Sequence, residues 1–271
     1  MSPELLEYQL SPEVRAFSTT RFGGVGVGNY SEFNITHYCG DDQAHVEENR
    51  KLLCQELSIH DRQLILPHQV HGNQVLEIND DFLKLDEVGR KAQLEGVDAL
   101  VTSIPQICIG VSTADCVPLL IYDECRKVSA AIHAGWRGTV SKIVSTTIQY
   151  MVERMGCSAE KMKVVIGPSI SLAAFEVGHE VYEAFQQAGF PMESISRFYP
   201  QAHGDATYQG QSGKWHLDLW AANCLLLDDC GVDLTHIQIA NVCTYDSSED
   251  FFSARRLGIH SGRIFNGIQI K

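Results

Sequence analysis

Six short apolar runs crowd the middle of this 271-residue chain, and they constrain its fold more than any other feature. They are Leu64 to Leu66, Val70 to Ile78, Val97 to Thr102, Ile107 to Ser112, Pro118 to Tyr122 and Val128 to His133. Short runs rich in branched side chains read as strands. The brief links between several of them predict antiparallel neighbours. Further strands are expected at Arg15 to Arg21, Val164 to Gly167, His236 to Ala240 and Ile264 to Ile270. Asp41 or Asp42 is placed to cap a helix running to about Leu57, with Val46, Leu53 and Leu57 on one face. A second helix is predicted over Val140 to Met155, where Val140, Ile143, Val144, Ile148, Met151 and Met155 keep helical spacing and Gly156 supplies the stop. Two more are expected near Glu180 to Gln187 and Leu217 to Asp229, and Ser194 to Gly213 reads as a long loop. Strands and helices mix without strict alternation. The fold class expected is therefore α+β, a layered α–β domain with mixed sheets, not a doubly wound Rossmann fold. With no internal repeat and no linker-like stretch, residues 1–271 are expected to form one domain.

Composition narrows the functions. A chain that is 44% hydrophobic can build a sizeable core, so disorder is excluded. The formal net charge of -13 argues against a nucleic-acid partner, though a local arginine cluster can still bind a small anion. The segment Met1 to Leu10 carries Glu4 and Glu7 and lacks the basic start and apolar run of a secretory signal. The most apolar stretch, Ile107 to Tyr122, is broken by Ser112, Thr113 and Asp115, so no membrane span is expected. The nine cysteines are odd in number and form no Cys-x-x-Cys pair, which excludes a disulfide framework and a zinc ribbon. A cytoplasmic setting follows, and no protein partner is indicated.

Three stretches carry chemistry: His68-Gln69-Val70-His71-Gly72, Thr113-Ala114-Asp115-Cys116-Val117-Pro118 and His133-Ala134-Gly135-Trp136-Arg137-Gly138. Two histidines and one cysteine give three protein ligands and one open position, the pattern of a catalytic zinc. His68 competes with His71 for the first place. On a strand, side chains three apart face opposite ways, so only one of the two would face the metal. Asp115 likewise points away from Cys116, either orienting a ligand from behind or serving the turn. Cys116 and His133 also suit a cysteine hydrolase, with Asp98 or Asp115 orienting the base. The glycine-rich stretch Arg21 to Gly28 lacks the Gly-Lys-Ser/Thr of a phosphate loop and reads as a flexible turn. Arg21, Arg137, Arg255 and Arg256 are candidate anion contacts, and Arg137 follows His133 by four residues on a glycine-rich turn. None of the eleven histidines forms a His-x-His pair, which argues against a multicopper oxidase, although a His, Cys, His set can hold one copper ion.

Together these stretches resemble the laccase-domain (YfiH-like) family, whose members are called polyphenol oxidases and zinc-dependent purine nucleoside phosphorylases. The resemblance covers nearly the whole chain. It runs from Thr19-Thr20-Arg21-Phe22-Gly23-Gly24-Val25 through Asn34, His37, Gly40-Asp41-Asp42, Gln69-Val70-His71-Gly72, Asp98-Ala99-Leu100-Val101-Thr102 and Thr113-Ala114-Asp115-Cys116. It continues through His133 to Gly138, Ile166-Gly167-Pro168-Ser169-Ile170, Phe175-Glu176-Val177-Gly178, Cys243-Thr244 and Phe251 to Arg256. The resemblance implies a layered α–β fold of the YfiH-like, cysteine-hydrolase-related kind. It implies zinc on His71, Cys116 and His133, favouring His71 over His68. It implies phosphorolysis of adenosine, inosine, guanosine and methylthioadenosine, with adenosine deamination as a second reaction. Purine nucleoside and phosphate are then the partners. Cys116, His133 and Arg137 are the candidate catalytic residues, and Arg21, Asn34 and Arg255 the candidate substrate-binding ones. The alternatives are a copper-dependent polyphenol oxidase and a Cys–His hydrolase editing peptidoglycan precursors. One departure, Glu32-Phe33 before Asn34 where many members carry serine and leucine, affects the loop contacts to substrate.

Overall fold

A computed structural model describes residues 2–201 and 206–271. In chain order its strands are β1 (Leu5–Tyr8), β2 (Val14–Thr19), β3 (Leu64–Ile65), β4 (Val75–Glu77), β5 (Ala99–Thr102), β6 (Cys108–Thr113), β7 (Val117–Asp123), β8 (Val128–Ala134), β9 (Met162–Ile166), β10 (Glu176–Val177), β11 (Ser196–Pro200), β12 (Ala206–Tyr208), β13 (Gln211–Leu217), β14 (Ile237–Ile239) and β15 (Ile264–Ile270). The helices are α1 (Gln43–Glu56), α2 (Asp80–Lys84), α3 (Glu87–Leu94), α4 (Trp136–Val140), α5 (Ile143–Met155), α6 (His179–Gln187), α7 (Met192–Ile195), α8 (Leu219–Asp229) and α9 (Ala254–Leu257).

Two mixed sheets lie face to face. One has the order β1-β2-β15-β6-β3 and the other β14-β9-β7-β8-β5-β4. Strand alternation assigns the faces. Along β7, Leu120 and Tyr122 pack with Ile109, Val111 and Ile268 of the facing sheet. Leu119 and Ile121 turn the other way, onto Val144, Ile148 and Met151 of α5 and Leu226 of α8. The five-stranded sheet covers its own outer face with α1, where Leu53 and Cys54 meet Phe17, Cys108 and Phe265. The order of layers is thus helix, sheet, sheet, helix. Both faces of β6, β7 and β8 are buried, which is why these strands read as continuous apolar runs. Each aliphatic side chain buried here contributes about 1.5–3 kcal/mol. A third, smaller sheet has the order β10-β13-β11, with β12 also paired to β13.

The mixed-sheet expectation holds, and four local expectations are corrected. β6 and β7 are not neighbours in one sheet: the chain crosses from one sheet to the other at residues 114–116. The run Val70 to Ile78 is a strand only at Val75–Glu77, because residues 70–72 form a turn whose N–H groups are drawn to the Asp98 carboxylate. The helix expected from Val140 starts at Ile143, since Lys142 adopts a left-handed φ of 61° and separates α4 from α5. Val140 packs on the same core from α4, so the apolar spacing runs through the break. The expected loop Ser194 to Gly213 contains β11, β12 and the start of β13, with residues 202–205 outside the described residues. Gln209 and Gly210, both at positive φ (49° and 77°), make a two-residue hairpin turn there, a role more familiar for Asn-Gly. As expected, Asp42 caps α1 by accepting the Ala44 N–H at 2.8 Å, and Gly156 at φ 70° ends α5. Among the described residues no helix is long and apolar enough to cross a membrane.

Candidate metal centre

The crossing between the two sheets creates the site. Asp115, at φ 85°, turns the chain out of β6, and Cys116 follows at the mouth of β7. The antiparallel register pairs Val117 with Ala134 and Pro118 with His133, so β8 ends beside Cys116. His71 arrives from the turn at 70–72, itself in the left-handed region at φ 62°. The donor atoms of His71, Cys116 and His133 all lie within 4.8 Å of one another. The two imidazoles meet edge to face, with centroids 4.8 Å apart. His133 is buried, Cys116 half-buried and His71 exposed, so the group opens to solvent on the His71 side.

A metal ion fits this group on two observations. A thiol and two imidazoles converge from three separate segments, a donor set suited to zinc or copper. Next to them the chain carries Gly135, where a β-carbon would lie 2.8 Å from Cys116 Sγ and 2.9 Å from His71 Cδ2. Only a residue without a side chain leaves that space free.

Asp98 underlies the arrangement. Its side chain has no exposed surface. Oδ1 accepts from His133 Nδ1 at 2.7 Å and from the His71 N–H at 3.0 Å; Oδ2 accepts from Gly72 N–H at 2.7 Å and Val70 N–H at 3.3 Å. The Asp98 carbonyl takes the His133 N–H at 2.8 Å. With Nδ1 held by Asp98, the Nε2 of His133 is left for the donor group. Burial works against the Asp98 charge, but the hydrogen bond and charge of His133 and the N–H groups of the turn outweigh it and lower the pKa. Burial also opposes a charged Cys116. The His133 charge and hydrogen bonds from both histidines overcome it and bring the thiol down to about 6. His133 is raised correspondingly to about 9: burial opposes its charge, but the Cys116 thiolate and Asp98 prevail. The site is therefore built to hold a thiolate, the form that binds metal.

The remaining candidates scatter around this group. His68 stands outside it: its Nδ1 meets Glu95 Oε1 at 2.6 Å and its ring packs edge-on to Tyr38. Asp115 turns from Cys116 to the C-terminal segment, accepting Thr244 Oγ1 and the Arg255 N–H, each at 2.7 Å. Arg137 is exposed on the first turn of α4, its guanidinium 4.2 Å from the Trp136 ring. Arg255 is exposed, donates to the Glu176 carbonyl and lies over Phe175. Arg256 lies over Tyr245. Arg21 is a tie between loops, donating to the carbonyls of Ser31 and Ser248 over the Phe252 ring. Asn34 is fully buried and donates to Asp41 Oδ2, while its oxygen accepts the N–H groups of Thr36 and Arg263. Its amide is engaged with partners inside the protein. The glycine loop is likewise occupied: Gly23 N–H goes to Glu32 Oε2, Val25 N–H to Asn49 and Gly26 N–H to the Glu32 carbonyl. Glu32 and Asn49 thus take the N–H groups that a phosphate would need.

Sequence reasoning offered Asp98 only as an alternative to Asp115 for orienting a base, and it overlooked Gly135. An unpaired Asp before a strand gives no sign that it gathers a turn far away in sequence. Gly135 had a signal, since it sits two residues after a candidate ligand. A separate groove of about 660 Å³, lined by Tyr182, Phe198, Tyr208 and Trp215, lies over the small sheet and includes none of the three donors.

Comparison with known proteins agrees with this architecture. Residues 15–271 match the family described as multi-copper polyphenol oxidoreductase laccase. The chain is 47% identical over 254 residues to a purine nucleoside phosphorylase of Bacteroides thetaiotaomicron, covering 94% of this chain and 90% of that one. It is 42% identical to the adenosine deaminase RL5 of an unknown prokaryotic organism, covering 99% and 98%. The crystal structure of the Bacillus licheniformis hypothetical protein YfiH shares the fold, with a TM-score of 0.87 at 24% identity over 100% of this chain and 97% of that one. With its mixed sheets, its convergent His, Cys and His, and relatives matched end to end, the chain belongs to the laccase-domain, YfiH-like family.

Proposed function

We propose that this protein is a zinc-dependent purine nucleoside phosphorylase that acts on adenosine, inosine, guanosine and methylthioadenosine and also deaminates adenosine. The observation that carries the reading is the convergence of His71, Cys116 and His133 at an open corner, in a chain whose near relatives are named for these two activities. In phosphorolysis a phosphate oxygen bonds to C1′ of the ribose as the C1′–N9 bond breaks. The purine leaves with the bonding pair and gains a proton, giving ribose 1-phosphate and free base. When bound, zinc supplies Lewis acidity, the property that makes water a nucleophile near neutral pH, as deamination requires. His71, Cys116 and His133 would hold it. Asp98 keeps the proton of His133 on Nδ1. Arg137 offers a planar, exposed guanidinium two residues beyond Gly135, suited to a phosphate.

The family's description raises copper oxidation. Among the described residues one group of three donors meets the geometry of a metal site, which supports a single ion per chain. Copper remains the alternative metal for that group. The aligned Asp98, His133 and Cys116 favour a second reading, a Cys–His hydrolase in which the thiolate attacks directly.

Incubating the purified protein with inosine or adenosine, with and without phosphate, tests the proposal by chromatography. Hypoxanthine and ribose 1-phosphate are expected from inosine only when phosphate is present. Arg137→Ala should lower phosphate-dependent turnover about 10–100-fold, the loss of one or two charge-assisted hydrogen bonds, with the metal retained. Inosine left intact by metal-loaded protein in phosphate rejects phosphorolysis. Conversion of adenosine to inosine under those conditions would leave deamination alone.

A further inference from the structure

We propose that Asp98 is a positioning residue that couples the two histidine ligands, one carboxylate fixing both the tautomer of His133 and the backbone turn that presents His71. This rests on the reading of His71, Cys116 and His133 as a metal centre and adds the device that shapes it. A carboxylate has about four acceptor positions. Those of Asp98 are filled by four donors from two segments: His133 Nδ1 and the backbone N–H groups of Val70, His71 and Gly72. The three consecutive N–H groups form a small anion-binding nest. The nest encloses an internal carboxylate instead of an external ligand. His71 sits at its centre with φ 62°, a conformation that a β-carbon disfavours. The carboxylate compensates that conformation, and without it the turn has no reason to hold His71 towards Cys116. Neither segment contacts Asp98 by accident of sequence: the 70–72 turn precedes it by a helix pair, and β8 pairs alongside β5 just after it.

The isosteric Asp98→Asn variant cannot serve both duties. An amide has one acceptor oxygen, and its NH2 group must face donors in either orientation. With the oxygen towards His133, the His71 N–H keeps its acceptor, but the NH2 opposes the Gly72 and Val70 N–H groups and the turn loses two of its three anchors. With the amide flipped, the NH2 opposes the His71 N–H and also His133 Nδ1, which must then give up its proton. The proton moves to Nε2, and the lone pair meant for the metal is gone. Each orientation therefore damages at least one histidine ligand.

Zinc affinity, measured by competition with a chromogenic chelator, tests the coupling without reference to activity. Asp98→Asn should bind zinc about 10–100-fold more weakly than the wild-type protein. Glu95→Gln, which alters the carboxylate on the uninvolved His68, should stay within about twofold. A carboxylate that served stability alone would lower the melting temperature of the metal-free protein and leave the affinity of folded protein unchanged. That result would overturn the proposal. If Asp98→Asn does not fold, the zinc-loaded wild-type protein carries the test. Nitrogen-15 spectra should show His133 protonated at Nδ1 with slow exchange of that proton, and an unprotonated Nδ1 would overturn the proposal. Failure of the wild-type protein to take up zinc would overturn the metal reading as well. Normal uptake that is indifferent to Asp98 would overturn the coupling alone.

Discussion

Around Cys116 and His133, position is set by backbone. Two strand ends brought side by side in register, a turn gathered onto one buried carboxylate and a glycine leave each donor little freedom. Around Trp215, in the small sheet, the strand ladder places the backbone, but the position of the ring is set by side chains. Tyr182 stacks on the indole at 4.4 Å, and Phe198 and Tyr208 meet it edge-on at 5.2 Å, all partly open to solvent. Hydrogen bonds fix atoms to tenths of an ångström, whereas aromatic contacts tolerate sliding. A site that must hold three donors around one ion belongs in the first kind of region.

The largest effect that can test this contrast is removal of the central donor. Cys116→Ala should abolish metal binding and turnover while the protein stays folded, because Cys116 is half-buried and contributes little to the core. His68→Ala should keep the metal. Full occupancy in Cys116→Ala would end the assignment. The metal-free wild-type protein adds a pH signature. A thiol lowered to about 6 is mostly thiolate at pH 7, so alkylation of Cys116 should be near its plateau there and fall about tenfold per unit below pH 6. Cys108, pushed up by complete burial, should not react on that timescale. Metal loading should protect Cys116. Full turnover by chelated protein, lost on alkylation, would transfer the chemistry to the thiolate.

The same contrast explains what the sequence disclosed. Strand β15 was legible to the residue, and β5, β6 and β8 to within two at each end, because burial on both faces writes an unbroken apolar run. The residue types that converge at the corner were legible too. The choice of His71 over His68 was not legible from periodicity, since residues 70–72 are not the strand that the alternation argument assumed. What decides it is Asp98, well separated along the chain, and no local pattern records such a contact. The break at Lys142 was hidden because the apolar spacing continues across it, and the sheet crossing at 114–116 because nothing in the runs on either side says which sheet each strand joins. The β12–β13 hairpin was hidden because polar residues and isolated aromatics carry it in place of an aliphatic run.

A smaller change probes how tightly the corner is fitted. Gly135→Ala adds one methyl group at a place where it would lie 2.8 Å from Cys116 Sγ and 2.9 Å from His71 Cδ2. Its φ of -66° is ordinary for alanine, so the backbone should accept the change. Metal affinity should fall about tenfold or more, the equivalent of roughly 1.4 kcal/mol or above, with little change in melting temperature. Unaltered affinity would show that the corner has slack.

The smallest expected effect at the metal comes from the other region. Trp215→Ala removes three aromatic contacts and the partial burial of a large ring. Each such pair is worth about 0.5–1.5 kcal/mol, so a loss near 2 kcal/mol is reasonable. In a chain of this size that lowers the melting temperature by roughly 4–8 °C. The two regions do communicate through one segment: Leu217 N–H reaches the Phe175 carbonyl, Arg255 reaches the Glu176 carbonyl, and Ile170 N–H reaches the Asp115 carbonyl. A loosened small sheet can therefore shift Arg255 and tug on Asp115. Among the described residues no hydrogen bond of that segment reaches Asp98, which holds both histidines. Zinc affinity of Trp215→Ala should accordingly stay within about twofold of wild type. Phosphate-dependent turnover should fall only as far as Arg255 takes part in holding substrate. Loss of the metal in this variant would show that the small sheet shares in shaping the corner, and the division between backbone-set and side-chain-set regions would fail.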